Sequence, residues 1–190
     1  MHELAPGLIL AYHGCRAETA ERLISGEGFK ASENLYDWLG HGIYFWESNP
    51  KRALDFAVEQ AQRKDEDPKD WSLVGAVIGL RLCLDLTSKA GLDSVRIAYL
   101  RLKETFEAAN AMDRFPQNNK DLLRRNLDCA VINHLHAIGD ANFDSVRGVF
   151  IEGNELYPTS GFYHKTHIQI AIRSRECIKG VFRVRPQDIE

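Results

Sequence analysis

Gly40-His41-Gly42-Ile43-Tyr44-Phe45-Trp46 is a short aromatic and β-branched run punctuated by glycines. Those residues favour a pleated, half-buried backbone, and the segment predicts a strand over Gly42–Trp46. Working outward, Ser32 to Leu39 is rich in turn formers and reads as the loop that enters this strand. On the other side, Ser48-Asn49-Pro50 supplies polar caps before a proline in the first turn, so a helix begins there. Ala53, Leu54, Ala57 and Ala61 give that helix a narrow apolar stripe suited to close packing on a sheet. Upstream, Leu8 to His13 is an apolar run that predicts a buried strand ending at Gly14. A helix over Ala17 to Ser25 follows, stopped by Gly26 and Gly28, and a second extended piece starts at Gly28-Phe29.

Downstream, Lys64 to Asp70 is a charged loop, and Leu73 to Leu86 predicts one long strand with bends at Gly75 and Gly79. Val95–Ala109 and Asp121–Ile138 carry helical periodicity on either side of a break at Phe115-Pro116-Gln117-Asn118-Asn119. Val146–Ile151, His167–Arg173 and Ile178–Val184 return to strands. The order is mixed, without regular strand-helix-strand alternation, so the expectation is an α+β fold and not a doubly wound one. The glycines also miss the dinucleotide fingerprint of that fold. At 190 residues with 44% hydrophobic content, one domain over residues 1–190 is expected.

A net charge of −3 gives no global case for or against a nucleic-acid partner. The four cysteines, Cys15, Cys83, Cys129 and Cys177, form no paired motif, which argues for buried free thiols and against a zinc knuckle. His134 and His136 lie two apart on a helix and point to different sides, so no metal site is expected from them. Met1-His2-Glu3-Leu4-Ala5-Pro6 lacks a basic, then apolar, leader, and no apolar run reaches membrane-span length. A soluble cytoplasmic protein with no membrane partner is the expectation.

Three side chains stand out for chemistry. His13, followed by glycine, is placed to hydrogen-bond a ligand hydroxyl or to cap a neighbouring strand. Tyr44 presents a ring either to a stacking partner or to the core. In His167-Ile168-Gln169-Ile170-Ala171-Ile172-Arg173 the isoleucines share one face, leaving Gln169 aimed at solvent or a cleft.

Taken in order, these segments resemble the ADP-ribosyltransferase family, in the branch shared by poly(ADP-ribose) polymerases and diphtheria toxin. Tyr12-His13-Gly14-Cys15-Arg16 is similar to that branch's strand motif, with cysteine replacing a hydroxyl residue. Gly40 to Phe45 is similar to its glycine, lysine, glycine, isoleucine, tyrosine, phenylalanine motif. Leu73 to Leu80 resembles the strand after the helix, and Gln169 falls where the third catalytic position, usually glutamate, lies.

The resemblance implies a split pair of small sheets around a cleft for NAD, the co-substrate, with no metal. His13 would hydrogen-bond a ribose hydroxyl, the Gly14 backbone would hold the nicotinamide carboxamide, and Tyr44 would stack on the nicotinamide. Phe56 is the candidate for the second aromatic wall, although strict alignment places Asp55 there. His13, Tyr44 and Gln169 form the implied catalytic set. Because a neutral amide cannot take a proton, the resemblance implies single transfer, with a general base either unnecessary or supplied from elsewhere; Glu47, Glu152, Glu155 and Glu176 are the candidates, each read otherwise as a solvated surface charge. The loop Gly153 to Thr166, with Tyr157, Phe162, Tyr163, His164 and Lys165, would meet a macromolecular acceptor, nucleic acid such as RNA before protein. Arg173, Arg175, Lys179, Arg183 and Arg185 would extend a basic surface or stand as strand exteriors. The implied setting is a cytoplasmic toxin or anti-phage effector restrained by an antitoxin protein. The alternative is a degenerate module that binds NAD or ADP-ribose without transfer.

Overall fold

The computed structural model describes residues 7–139 and 142–189, so the Met1–Pro6 stretch lies outside the described residues. Among these, four helices pack on a seven-stranded mixed sheet, an α+β architecture. The strands are β1 (Leu8–Arg16), β2 (Ile43–Glu47), β3 (Trp71–Gly79), β4 (Cys83–Asp85), β5 (Ser145–Phe150), β6 (His167–Ile172) and β7 (Ile178–Arg183). The helices are α1 (Ala17–Ile24), α2 (Pro50–Arg63), α3 (Lys89–Ala108) and α4 (Asn126–Ala137). The sheet order is β4-β5-β6-β2-β1-β3-β7, and every pairing is antiparallel except β4 with β5.

Strand alternation sorts the side chains. Ala11 and Cys15 of β1, Val74, Ala76 and Ile78 of β3, Ile43 and Phe45 of β2, and Ile170 and Ile172 of β6 form one core with Ala20 and Leu23 of α1. The opposite face carries Tyr12, Trp46 and Leu73 under α2, then Leu84, Val146, Phe150 and Ala171 under α3 and α4. The alanine stripe of α2 lets it come close: Ala53, Ala57 and Ala61 are fully buried. Asn49 caps that helix as expected, its Oδ1 accepting from the Arg52 N–H at 2.9 Å.

The predicted long strand over Leu73 to Leu86 is instead two strands on different sides of the sheet order. The chain breaks at Leu80 to Leu82, where Arg81 adopts a positive φ of 52°. Five flat strand spacings would span about 24 Å, whereas a three-residue link reaches about 14 Å. The sheet therefore curls strongly, and Ser145 Oγ of β5 donates to the Leu80 carbonyl at 2.7 Å. α4 also starts later than predicted: Asp121 to Arg125 is a turn, and Asn118 Oδ1 accepts from the N–H groups of Leu127 and Asp128. Gly28-Phe29 begins no strand, and that segment makes a single bridge, Ser32 to Gly42.

The sheet is hydrogen-bonded from edge to edge and is not two separate sheets. Its weak line is the β1–β2 seam, which registers only Ala11 with Glu47 and Tyr12 with Trp46. β1 by contrast pairs with β3 through all nine residues.

Candidate functional site

His13 does not end its strand; β1 runs on to Arg16, and the seam is what stops beside it. Continued two residues past Tyr12 and Trp46, the register would set Gly14 opposite Tyr44. The Ser48 N–H donates to the Leu10 carbonyl, so by the two-residue alternation Leu10, Tyr12 and Gly14 all turn their peptide groups toward β2. The Tyr44 carbonyl is nevertheless taken by a side chain, His13 Nδ1, at 2.7 Å. Since a carbonyl only accepts, Nδ1 carries the proton and Nε2 presents a lone pair. His13 thus acts as a wedge: it takes the acceptor that the Gly14 amide would otherwise use, and the β1–β2 register stops before Gly14 pairs with Tyr44.

The His13 ring lies edge-on to Phe29 at 5.3 Å and tilted on Phe45 at 5.6 Å. Solvent still reaches part of it, yet burial among these rings lowers its pKa against the raising effect of the Tyr44 carbonyl. The neutral, hydrogen-bond-accepting form is the resting state. Cys15, two residues on, is buried and its thiol is pushed up to about 11, so it is inert as a nucleophile.

Tyr44 lies on the other sheet face, its hydroxyl accepting from the Leu39 N–H at 2.9 Å and donating to the Gly40 carbonyl at 2.6 Å. Burial, with Asp37 nearby, raises its pKa well above the ordinary phenol value. The positive φ of Gly40, 74°, makes the turn that brings these two backbone groups together. Gln169 is buried directly across from Trp46 on one side and Gly148 on the other. The face of β6 that it shares with His167 is therefore covered, not turned to solvent. Its carboxamide has no hydrogen-bond partner among the described residues and is not wholly shut off from solvent.

At both glycines the close approach is made by the protein's own backbone. What comes near Gly14 is α2: a Cβ there would lie 2.3 Å from the Ala53 carbonyl oxygen. What comes near Gly42 is β6, with the Ile172 carbonyl 3.0 Å from a Cβ placed there. Phe56 packs on Trp46, ring centroids 4.7 Å apart, and not on Tyr44. His13 reaches the Tyr44 backbone across the seam, while the Tyr44 ring and Gln169 lie together on the opposite face.

Sequence reasoning overlooked a polar cluster around Gln169. Arg52, on the edge of the alanine stripe, is 7% exposed; it pairs with Glu152 at 3.2 Å and Glu59 at 3.6 Å and lies over the Trp46 ring. His167 packs against Trp38, Phe150 and Trp46. The available signal was the alternation of two, which puts Trp46 beside Tyr44 and His167 beside Gln169 on one face.

Of the substitute carboxylates, Glu47 is held by Arg147 at 2.6 and 2.9 Å, Glu155 accepts from the Thr159 N–H, and Glu176 pairs with Arg81. Only Glu152 reaches the Gln169 neighbourhood, through Arg52 and His167. The segment from Gly153 to Thr166 is a small hairpin arm, closed by the Lys165 N–H on the Glu152 carbonyl and the Leu156 N–H on the Phe162 carbonyl. Leu156, Tyr157 and Phe162 stand exposed on it. The expected basic surface is largely engaged: Arg173 donates to the His41 carbonyl, Arg175 to that of Phe29, and Lys179 to that of Glu176. Arg183 pairs with Glu21 and Arg185 with Asp188.

No group of His, Cys, Asp and Glu among the described residues is arranged to hold a metal ion, and none of their helices is long and apolar enough to cross a membrane. The elements define an α+β protein with a wedged sheet seam. Neither the models of known families, nor curated proteins, nor solved structures yield a match to this chain.

Proposed function

We propose that this chain is an NAD-dependent mono-ADP-ribosyltransferase that binds NAD at the β1–β2 seam and passes ADP-ribose to a macromolecule, releasing nicotinamide. The observation that carries the reading is that the β1–β2 register stops before Gly14 and Tyr44, with the Tyr44 carbonyl taken by the His13 side chain, which would leave the Gly14 peptide to a ligand. A strand edge with one N–H and one C=O free is the complement of a primary carboxamide, which offers an acceptor and a donor side by side. The neutral His13 Nε2 accepts a ribose hydroxyl, and Tyr44, clamped through its hydroxyl, supplies a fixed ring wall. The free carboxamide of Gln169 orients the second ribose. Cleavage of the nicotinamide–ribose bond passes through an oxocarbenium-like state, so positioning and electrostatics supply the acceleration.

On this reading the fold is that of the ADP-ribosyltransferases, the halves of the curled sheet on either side of the seam corresponding to the split core. The acceptor is a nucleic acid such as RNA in preference to protein, met by the arm with exposed Tyr157 and Phe162. The enzyme then works as a cytoplasmic toxin or anti-phage effector held in check by an antitoxin protein. A second reading, binding of NAD without turnover, draws on the neutral Gln169 and on Phe56 being engaged by Trp46. Incubation with NAD labelled in the nicotinamide ring separates the two. Release of label that depends on His13 and Tyr44 supports transfer, saturable binding without release supports the module, and no binding refutes both.

A further inference from the structure

Gln169 leaves the proposed reaction without a proton acceptor, and the structure holds an imidazole two residues away on the same strand face. His167 opens β6, its side chain fully buried, with Nδ1 2.7 Å from the Lys165 carbonyl. That contact fixes the proton on Nδ1 and leaves the lone pair on Nε2. Nε2 is buried and has no hydrogen-bond partner. An orphaned buried acceptor is unfavourable, and a partner that arrives with the substrate would satisfy it. Glu152 Oε2 stands 3.5 Å from Nδ1, on the side away from that lone pair, where it stabilises an imidazolium once formed.

We infer that His167 is the general base of the transfer step, with Glu152 as its supporting carboxylate, for an acceptor that attacks through a neutral O–H or N–H group. The inference rests on the proposed ADP-ribosyl transfer. The acceptor's O or N forms a bond to the ribose anomeric carbon, and the bond to nicotinamide breaks with its electron pair going to the leaving ring, which departs neutral. The acceptor's proton moves to Nε2. Arg52 of α2 and Arg125 at the start of α4 face the imidazole as cations and Glu152 opposes them, while Glu59 pairs with Arg52 and with the Lys165 ammonium. Burial dominates and lowers the His167 pKa, which keeps the base unprotonated at neutral pH. Trp38, partly exposed and stacked 6.3 Å from the imidazole, is the ring that must give way for an acceptor to reach Nε2.

The test uses the full chain, NAD and two small acceptors: methanol, which must lose a proton, and azide, which has none to lose. His167→Asn is expected to lower methanolysis by about 10²- to 10⁴-fold, to remove the acid limb of its pH profile, and to leave formation of ADP-ribosyl azide at the wild-type rate. Glu152→Gln is expected to move that limb to lower pH. In the unmodified protein, nuclear magnetic resonance titration of the His167 ring must give the same pKa as the limb, which tests the assignment even where a variant fails to fold. Equal loss of the methanol and azide products overturns the base role in favour of a structural one, as does methanolysis with the wild-type pH profile. A wild-type chain that consumes no NAD with either acceptor overturns the transferase reading itself, and this inference with it.

Discussion

Replacing His13 with alanine should close the seam. In the native protein the Tyr44 carbonyl is satisfied by His13 Nδ1 at 2.7 Å, and Gly14 stands where the next ladder partner would be. Removing the imidazole forfeits one hydrogen bond worth about 1 kcal/mol and lets the Gly14 amide replace it with a bond of similar worth. What is not recovered is the ring packed between Phe29 at 5.3 Å and Phe45 at 5.6 Å. Because solvent already reaches part of that ring, the loss should fall below the roughly 3–5 kcal/mol of a wholly buried aromatic, at about 1–3 kcal/mol. For a chain of this size that lowers Tm by between about 2 and 12 °C. Hydrogen exchange at the Gly14 amide is the decisive assay: it should be less protected than the Tyr12 amide in the native protein and become more protected in the variant, about tenfold per 1.4 kcal/mol of added ladder strength. NAD cleavage should disappear in the same variant. A Gly14 amide that is as protected as Tyr12 in the native chain, or unchanged by the substitution, would refute the wedge.

Gly14→Ala places a Cβ 2.3 Å from the Ala53 carbonyl oxygen, so α2 must shift; chemical denaturation should show a loss of about 1–3 kcal/mol, and unaltered stability would mean α2 is not closely seated. Tyr44→Phe strands the Leu39 N–H and the Gly40 carbonyl, costing about 1–3 kcal/mol in a melt; because the ring stays but is no longer clamped, KM for NAD should rise more than kcat falls. Burial lowers the pKa of His13, His136 and His167. The unfolded chain therefore binds protons first: their contribution to stability is whole above about pH 6.5 and is lost as pH falls through the lower folded values, by at most about 1.4 kcal/mol per pH unit for each. Urea titrations from pH 7.5 downward check this, and stability that rises on acidification would contradict it.

The elements around Tyr44 were readable because local chemistry decides them: glycines lead into β2, Asn49-Pro50 starts α2, and the isoleucines of β6 alternate inward. The split between β3 and β4 was not, because both halves are apolar, and only the position of Arg81 at positive φ marks where the chain turns to the far side of a curled sheet. The late start of α4 was hidden for a similar reason, its cap coming from Asn118, eight residues before the first helical residue. His13, Gly14, Tyr44 and Gln169 could be named from their order along the chain. Which of them meet could not, since that depends on a strand register that stops after two pairs. Arg52 was the least legible, because a charge beside an alanine stripe looks like a solvated helix edge until the ion pairs to Glu59 and Glu152 are seen.

Gln169→Ala separates the structural from the chemical part of this arrangement. A buried glutamine that held the fold would leave partners unsatisfied on removal, but its carboxamide has none among the described residues, and the cross-strand neighbour Gly148 offers no side chain. Stability should therefore change only through lost contact area, about 1–2 kcal/mol for the missing methylene and amide. If Gln169 orients the ribose, NAD cleavage should fall by tenfold or more, about 1.4 kcal/mol or greater in the transition state. The two measurements need not move together, which is the strength of the comparison. A variant that melts like the native protein yet cleaves NAD at the native rate would remove Gln169 from the site, leaving the seam at His13 and Gly14 as a binding feature without its proposed chemistry.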